Sequence, residues 1–400
     1  MATNTDTGVL REGGGTQRAT FLELFFDLVF VFALSRISDR LAEDFTSERR
    51  IVLTEVGQTT LLLLALYLTW ALAAWVTSRY DPERATVQLV MVAVMFGAMV
   101  MAVAVPTAFA ARGPLFAGAY VAVAVGRPLL LMLALRGNKE QQRIPARIVC
   151  WSTASAVLWI AGAIAPEGIP GDLLWAAALV MDYLGLILGW PTPGLGRARI
   201  TAWDIAGEHL AERYQQFVII ALGESILLIG LSYSGGDLSA GRSAAFVVAF
   251  ATTVLLWRLY FFRAGHLLTS AVAETSRPAK LGQSAIYSHL VMVAGIIAAA
   301  VGYELVINQP VGRTDPAWLA VIVGGPALFL AGRIRFGYDV FGRVSRPRLI
   351  GLLVLAAVAP ALVLVPPLAA AVTATLVLAG MAAVDAFRAR GRPLRAPSPP

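Results

Sequence analysis

Residues Glu212–Gly230 read ERYQQFVIIALGESILLIG. The stretch is long enough to cross a bilayer, yet Glu224 stands almost at its centre. A carboxylate at that depth costs about 2.5–3.5 kcal/mol on insertion scales, so it faces a partner or a wet cavity. On a helix, Gly223 and Gly230 share a side with Gln216, and Glu224 lies about 100° away. That flank is expected to admit close neighbours, while Ile219, Ile220, Leu227 and Leu228 cover the rest. Two readings stand side by side, a buried structural charge pair and a functional acid.

The rest of the chain is of the same kind. Of 400 residues, 58% are apolar and 14% charged, with a mean hydropathy of +0.71; this excludes an ordinary soluble globule. Apolar runs of about 20 residues recur, the mark of transmembrane helices. They predict an all-α bundle of twelve spans at 21–41, 53–78, 85–105, 115–135, 145–165, 172–190, 213–233, 242–263, 284–306, 316–335, 347–366 and 368–387. Only Pro366-Pro367 separates the last two, which reads as a tight helical hairpin or one broken element. The first twenty residues are polar and glycine-rich, with no apolar core of a cleavable signal. The net charge of +7 comes from arginines in short loops. It speaks to membrane orientation and not to nucleic acid. With the N-terminus inside, the cytoplasmic segments hold 23 Lys and Arg against six outside, so both termini are expected in the cytoplasm.

Longer periods also appear. QLVMVA at Gln88–Ala93 recurs as HLVMVA at His289–Ala294, and FVFALSRIS at Phe30–Ser38 resembles FVIIALGES at Phe217–Ser225. They point to two parallel six-helix halves. The expected organisation is a disordered N-terminus 1–20, a first half 21–190, a linker 191–212, a second half 213–387 and a basic, proline-rich tail 388–400.

Chemistry is sought among charges inside the spans. Glu23 and Asp27 are spaced i,i+4 and share a face of the first span, as a shifted carboxylate pair or as helix-to-helix hydrogen bonds. Arg127, Asp182 and Glu224 lie near the bilayer centre; Gln88, Arg258 and His289 lie in the cytoplasmic half. An Arg127–Glu224 pair would satisfy both charges, with Asp182 and Arg258 as rivals. Glu55 and Glu304 are expected near the outer face, in reach of water. His289 reads as a proton carrier or as a bond to a neighbouring helix. His209 and His266 are expected at solvated interfacial positions. No histidine has an i,i+4 His or carboxylate partner, so no zinc site is expected. Gly223-Glu224-Ser225 is not a nucleophile elbow, and no phosphate loop is present. One cysteine, Cys150, excludes an internal disulfide. No catalytic residue, metal or cofactor is assigned.

Glu23–Ser38 (ELFFDLVFVFALSRIS) and His209–Leu227 (HLAERYQQFVIIALGESIL) resemble the two hallmark segments of the bacterial low temperature requirement A family. Tyr287–Gly295 (YSHLVMVAG) resembles a third. Tyr214-Gln215 stands where the family's pattern carries Phe-Gly. The resemblance implies a polytopic inner-membrane protein and no particular chemistry. Two parallel halves with midplane charges at their interface suit a secondary transporter or permease of a small molecule or ion. The alternatives are a membrane-embedded enzyme on a lipid or isoprenoid substrate, and a structural or sensory membrane protein. The bilayer is the expected partner, and nucleic acid is not.

Overall fold

The computed structural model describes residues 19–46, 52–198, 207–262, 278–342 and 344–389. The expected disordered N-terminus, the middle of the linker, His266 and nearly all of the basic tail lie outside the described residues. Every described element of length is an α-helix: α1 (Phe21–Thr46), α2 (Val52–Arg79), α3 (Ala85–Ala104), α4 (Gly113–Ala134), α5 (Lys139–Ile164), α6 (Ile169–Leu188), α7 (Gly207–Ser234), α8 (Ala240–Phe261), α9 (Pro278–Asn308), α10 (Pro316–Ile322), α11 (Gly324–Phe341), α12 (Arg346–Leu362) and α13 (Pro367–Ala389). Each expected span falls on one helix, except that 316–335 falls on α10 and α11. Gly324-Gly325-Pro326 explains that break. Glycine is a poor helix former, and proline has no N–H to donate and clashes with the preceding turn.

Ten helical segments among the described residues are long and apolar enough to cross a membrane. α12 and α1 are not among them. α12 has 17 residues. α1 carries Glu23, Asp27, Arg36, Asp39 and Arg40. Its charge is not spread evenly around the helix. Phe21, Leu24, Phe25, Leu28 and Phe32 are exposed along one stripe, while Glu23, Phe26, Asp27, Phe30 and Ala33 are buried on the other. An outward stripe of large apolar side chains with the acids turned inward suits a helix bathed in lipid, the inverse of a soluble surface.

The chain divides into two compact units, residues 1–37 with 53–210, and residues 38–52 with 211–400. In unit 1, α3, α4, α5 and α6 pack each on the next, as short loops require of antiparallel neighbours. Asn138 caps α5 by accepting from the Gln141 N–H at 3.1 Å, and α6 ends at Gly189 with φ +74°. Phe116, Trp159 and Trp175 form the aromatic centre, Trp159 and Trp175 with ring centroids 5.2 Å apart.

In unit 2 the tightest seam joins α9 to α11, and glycines make it. A Cβ on Gly295 would collide with the Phe329 backbone nitrogen and one on Gly325 with the Ala299 nitrogen, while at the adjoining α9–α10 contact one on Gly302 would come within 2.7 Å of the Ile322 nitrogen. Small residues allow such backbone approach in a membrane, where no hydrophobic force drives helices together. The glycines of α7 do otherwise: nothing lies within 4 Å of a Cβ on Gly223 or Gly230. The close neighbours expected on that flank are not there, because Gly223 lies on the exposed face with Ile219 and Leu227. Beyond the seam, α8 packs on α13, and α12 and α13 form a hairpin whose turn stops before Pro367.

Several arginines counted as loop charges are built into helix ends. Arg213 is fully buried and donates to Gln216 Oε1 at 2.9 Å, and Arg242 donates to the Ser232 carbonyl at 2.7 Å and the Ile307 carbonyl at 3.2 Å. Arg147 donates to the Leu195 carbonyl, and Arg333 to the Leu259 carbonyl at 3.3 Å. Such groups satisfy carbonyls left open at helix ends and in loops.

Candidate functional site

Glu224 is 1% exposed, and neither of its carboxylate oxygens has a well-formed hydrogen bond, the Ser38 hydroxyl standing near enough to weigh as a donor. The polar groups that face it are the Ser38 hydroxyl and the carboxylates of Asp39 and Glu304. Glu304 Oε2 and Ser38 Oγ are likewise buried without a partner. The groups that face Glu224 present oxygen: Ser38 and Asp39 from the later part of α1 and Glu304 from α9, all in unit 2 with Glu224 of α7. Glu304 is half-buried: part of it stays exposed, while its Oε2 is buried and its charge reaches Glu224. A buried polar group without a partner is costly, and such acids inside membranes mark ion and proton paths.

Glu23 and Asp27 share the buried face of α1, as their spacing requires, but they serve different bonds. Glu23 closes a capping box: Oε2 accepts from Thr20 N–H at 2.8 Å, and Thr20 Oγ1 accepts from Glu23 N–H at 3.4 Å. Its carboxylate also meets His209 Nε2 at 3.1 Å. On the far side of the imidazole, Nδ1 lies 3.0 Å from Ser78 Oγ. Ser78 gives its one proton to the Ala74 carbonyl at 2.7 Å, which leaves its oxygen to accept from Nδ1–H. His209 is thus fully buried, against the expectation of a solvated interfacial residue. The reason is that α7 begins at Gly207, ten residues before the apolar run. Asp27 accepts from Trp70 Nε1 at 2.9 Å, tying α1 to α2.

Elsewhere in unit 1, Asp182 Oδ2 accepts from Tyr120 O–H at 2.8 Å and Trp159 Nε1–H at 3.2 Å. Arg127 is buried beside it, and the charges that reach this guanidinium are those of Tyr120 and Asp182. Of the two acids weighed for Arg127, Asp182 is therefore the one its own unit supplies. In unit 2, His289 Nδ1–H donates to the Ala285 carbonyl at 2.7 Å, and Nε2 meets Tyr260 O–H at 2.8 Å. Tyr214 stacks on the imidazole at 4.9 Å between centroids, and Phe336 meets it edge-on. The bond to a neighbouring helix is the role seen for His289. Gln88, its counterpart in the sequence match, is exposed and bonds the Glu83 carbonyl at 3.4 Å, so the two positions differ in surroundings. Arg258 is half-buried, 4.7 Å from the Phe262 ring centroid.

The eight candidate residues thus belong to several small groups. The capping acid Glu23 and the helix tie Asp27 are explained by bonds to protein. Ser78, His209, Ser38 and Glu304 are the residues that sequence reasoning missed. For His209 a signal was present: His209, Arg213, Phe217 and Ala221 continue at intervals of four the face that carries Glu224 and Leu228. Among the described residues, no three His, Cys, Asp or Glu side chains are placed to hold a metal ion.

The family profile of the bacterial low temperature requirement A protein (LtrA) matches residues 18–383. An uncharacterized protein of Rhizobium meliloti (strain 1021) is 37% identical over 334 residues, covering 83% of this chain and 80% of the relative. No solved structure matches the chain. A multi-pass helical membrane protein with both hallmark segments lying inside the matched residues, the chain belongs to the bacterial low temperature requirement A family.

Proposed function

We propose that this protein is a secondary transporter of the inner (plasma) membrane, crossing it twelve times as two parallel six-helix halves, with Glu224 as its coupling acid. The observation that carries the reading is the state of that carboxylate: buried within a span, without a well-formed hydrogen bond at either oxygen, and faced by two further carboxyls and a hydroxyl. A structural charge is normally completed by an opposite charge or by donors. An acid left open to a proton or a small cation is what coupled transport uses.

The enzyme alternative has one arrangement to draw on, Ser78–His209–Glu23. Its three side chains are buried, and Ser78 already gives its proton to Ala74, so no substrate atom reaches an activated hydroxyl. That arrangement belongs to helix packing.

The test is uptake driven by a pH or sodium gradient in proteoliposomes, run against a metabolite panel. A substrate should accumulate with the wild type. Glu224→Gln should abolish gradient-driven accumulation by at least tenfold while the protein still purifies as a folded species. Gradient-driven uptake that survives Glu224→Gln would remove the coupling role. Substrate turnover without translocation would move the reading to the enzyme.

A further inference from the structure

Unit 1 brings two arginines to one place. Arg127 is 5% exposed, with Tyr120 and Asp182 as the charges that reach it, and Arg79 has Nε and Nη1 buried without a partner. The aromatic ring of Tyr80 lies 5.7 Å from the Arg79 guanidinium, and Tyr80 lies just beyond the end of α2. Burial pushes its phenol up from the ordinary tyrosine value, with Arg79 only partly opposing, so it stands as a further donor. Arg79, Tyr80 and Arg127 line one small cavity, walled by Trp75, Pro128 and Ile144. Its volume of about 30 Å³ admits an oxygen atom or two, not a bulky group.

Arg127 also lines a second space. An apolar groove of about 370 Å³ runs between α3 and α4, floored by Gly97, Gly118, Ala122 and Gly126. Phe96 and Leu115 at its side are exposed on the lipid-facing surface. From Arg127 to Pro114 the groove covers thirteen residues of α4, roughly 20 Å at 1.5 Å per residue. One leaflet contributes about half of a hydrocarbon core of about 30 Å, so the groove is long enough for one acyl chain. The donor end pairs Arg79, the last residue of α2, with Arg127, seven residues or about 10 Å short of the end of α4. The local charge balance is also specific. Arg79 and Arg127 bring two positive charges, and Asp182, the acid beside Arg127, brings one negative. One positive charge is left over, with no other ionisable side chain on either lining except Tyr80.

We propose that unit 1 binds an anionic phospholipid of the surrounding bilayer, its singly charged phosphodiester held by Arg79 and Arg127 and one acyl chain laid in the α3–α4 groove. Basic pockets between transmembrane helices recognise lipid headgroups in this way. The site is separate from Glu224 and does not depend on the transport reading.

The experiment measures lipid binding to the full-length protein by native mass spectrometry, with thermal unfolding in detergent alongside. Two guanidiniums at about fivefold each give phosphatidylglycerol roughly a thirtyfold advantage over phosphatidylcholine. Arg79→Gln and Arg127→Gln should each lose about fivefold of that preference, while Arg136→Gln, an exposed arginine at the same end of the spans, should keep it. If an arginine variant does not fold, Gly118→Leu decides. A Cβ there meets nothing within 4 Å, so leucine fills the groove without disturbing the cations, and lipid-dependent stabilisation should fall. Equal binding of the two lipids by the wild type would overturn the proposal. So would a preference that survives Arg79→Gln with Arg127→Gln, or equal stabilisation by inorganic phosphate, which has no chain for the groove.

Discussion

At the scale of single residues, this protein keeps two kinds of buried acid, and substitution should tell them apart. Glu23 is bonded on several sides, by the Thr20 N–H and hydroxyl and by His209. Removing the imidazole leaves a buried carboxylate short of a partner, a loss of about 3–5 kcal/mol for a broken buried pair. His209→Gln should therefore lower the thermal unfolding midpoint in detergent, and adding Glu23→Gln should recover part of the loss in a double-mutant cycle. Additive effects of the two substitutions would show that the contact contributes nothing. Glu224 has no such bond to lose, so Glu224→Gln should leave the midpoint unchanged or raise it, since an amide is cheaper to bury than a charge. Reading the sequence found both acids because charge inside an apolar run is conspicuous. It did not find His209 or Glu304. Each lies near the end of an apolar run, where a polar residue looks ordinary, and only packing by distant helices hides the His209 ring and the Glu304 Oε2.

At the scale of elements, glycine separates helices that touch from helices that do not. On α9, Gly302→Ala pushes a methyl group into the Ile322 backbone. Backbone cannot rotate aside as a side chain can, so a cost of about 1–3 kcal/mol is expected. On α7, Gly223→Ala meets open space and should be neutral or stabilising by up to about 1 kcal/mol from helix propensity. Unfolding of the two variants under one detergent condition checks the contrast; equal destabilisation would mean that the α9–α10 contact is looser than its geometry. The existence and order of the helices were legible, because runs of about 20 apolar residues have few other outcomes. The partners of each face were not legible. Gly223 with Gly230 and Gly295 with Gly302 have the same spacing of seven, and nothing local distinguishes a lipid-facing pair from a packed one. The α10–α11 break was written in Gly324-Gly325-Pro326, although an average over the run hides it.

At the scale of the whole molecule, orientation rests on arginine. Setting aside buried Arg147, Arg213 and Arg333 from the 23, and Arg242 from the six, leaves 20 against five, so the asymmetry survives removal of charges that serve structure. A reporter active only in the periplasm should be silent when fused after Arg395 and active when fused in the α3–α4 turn near Arg112. The reverse pattern would invert the map. The contact between Glu23 and His209 bears on synthesis as well as stability. The two residues are 186 positions apart, and a ribosome adding about 5–20 residues per second needs roughly ten to forty seconds to travel from one to the other. During that interval α1 carries two acids on a face whose imidazole has not yet been made, with only the Thr20 cap formed locally. Slower translation therefore lengthens the time in which the Glu23 carboxylate lacks this partner.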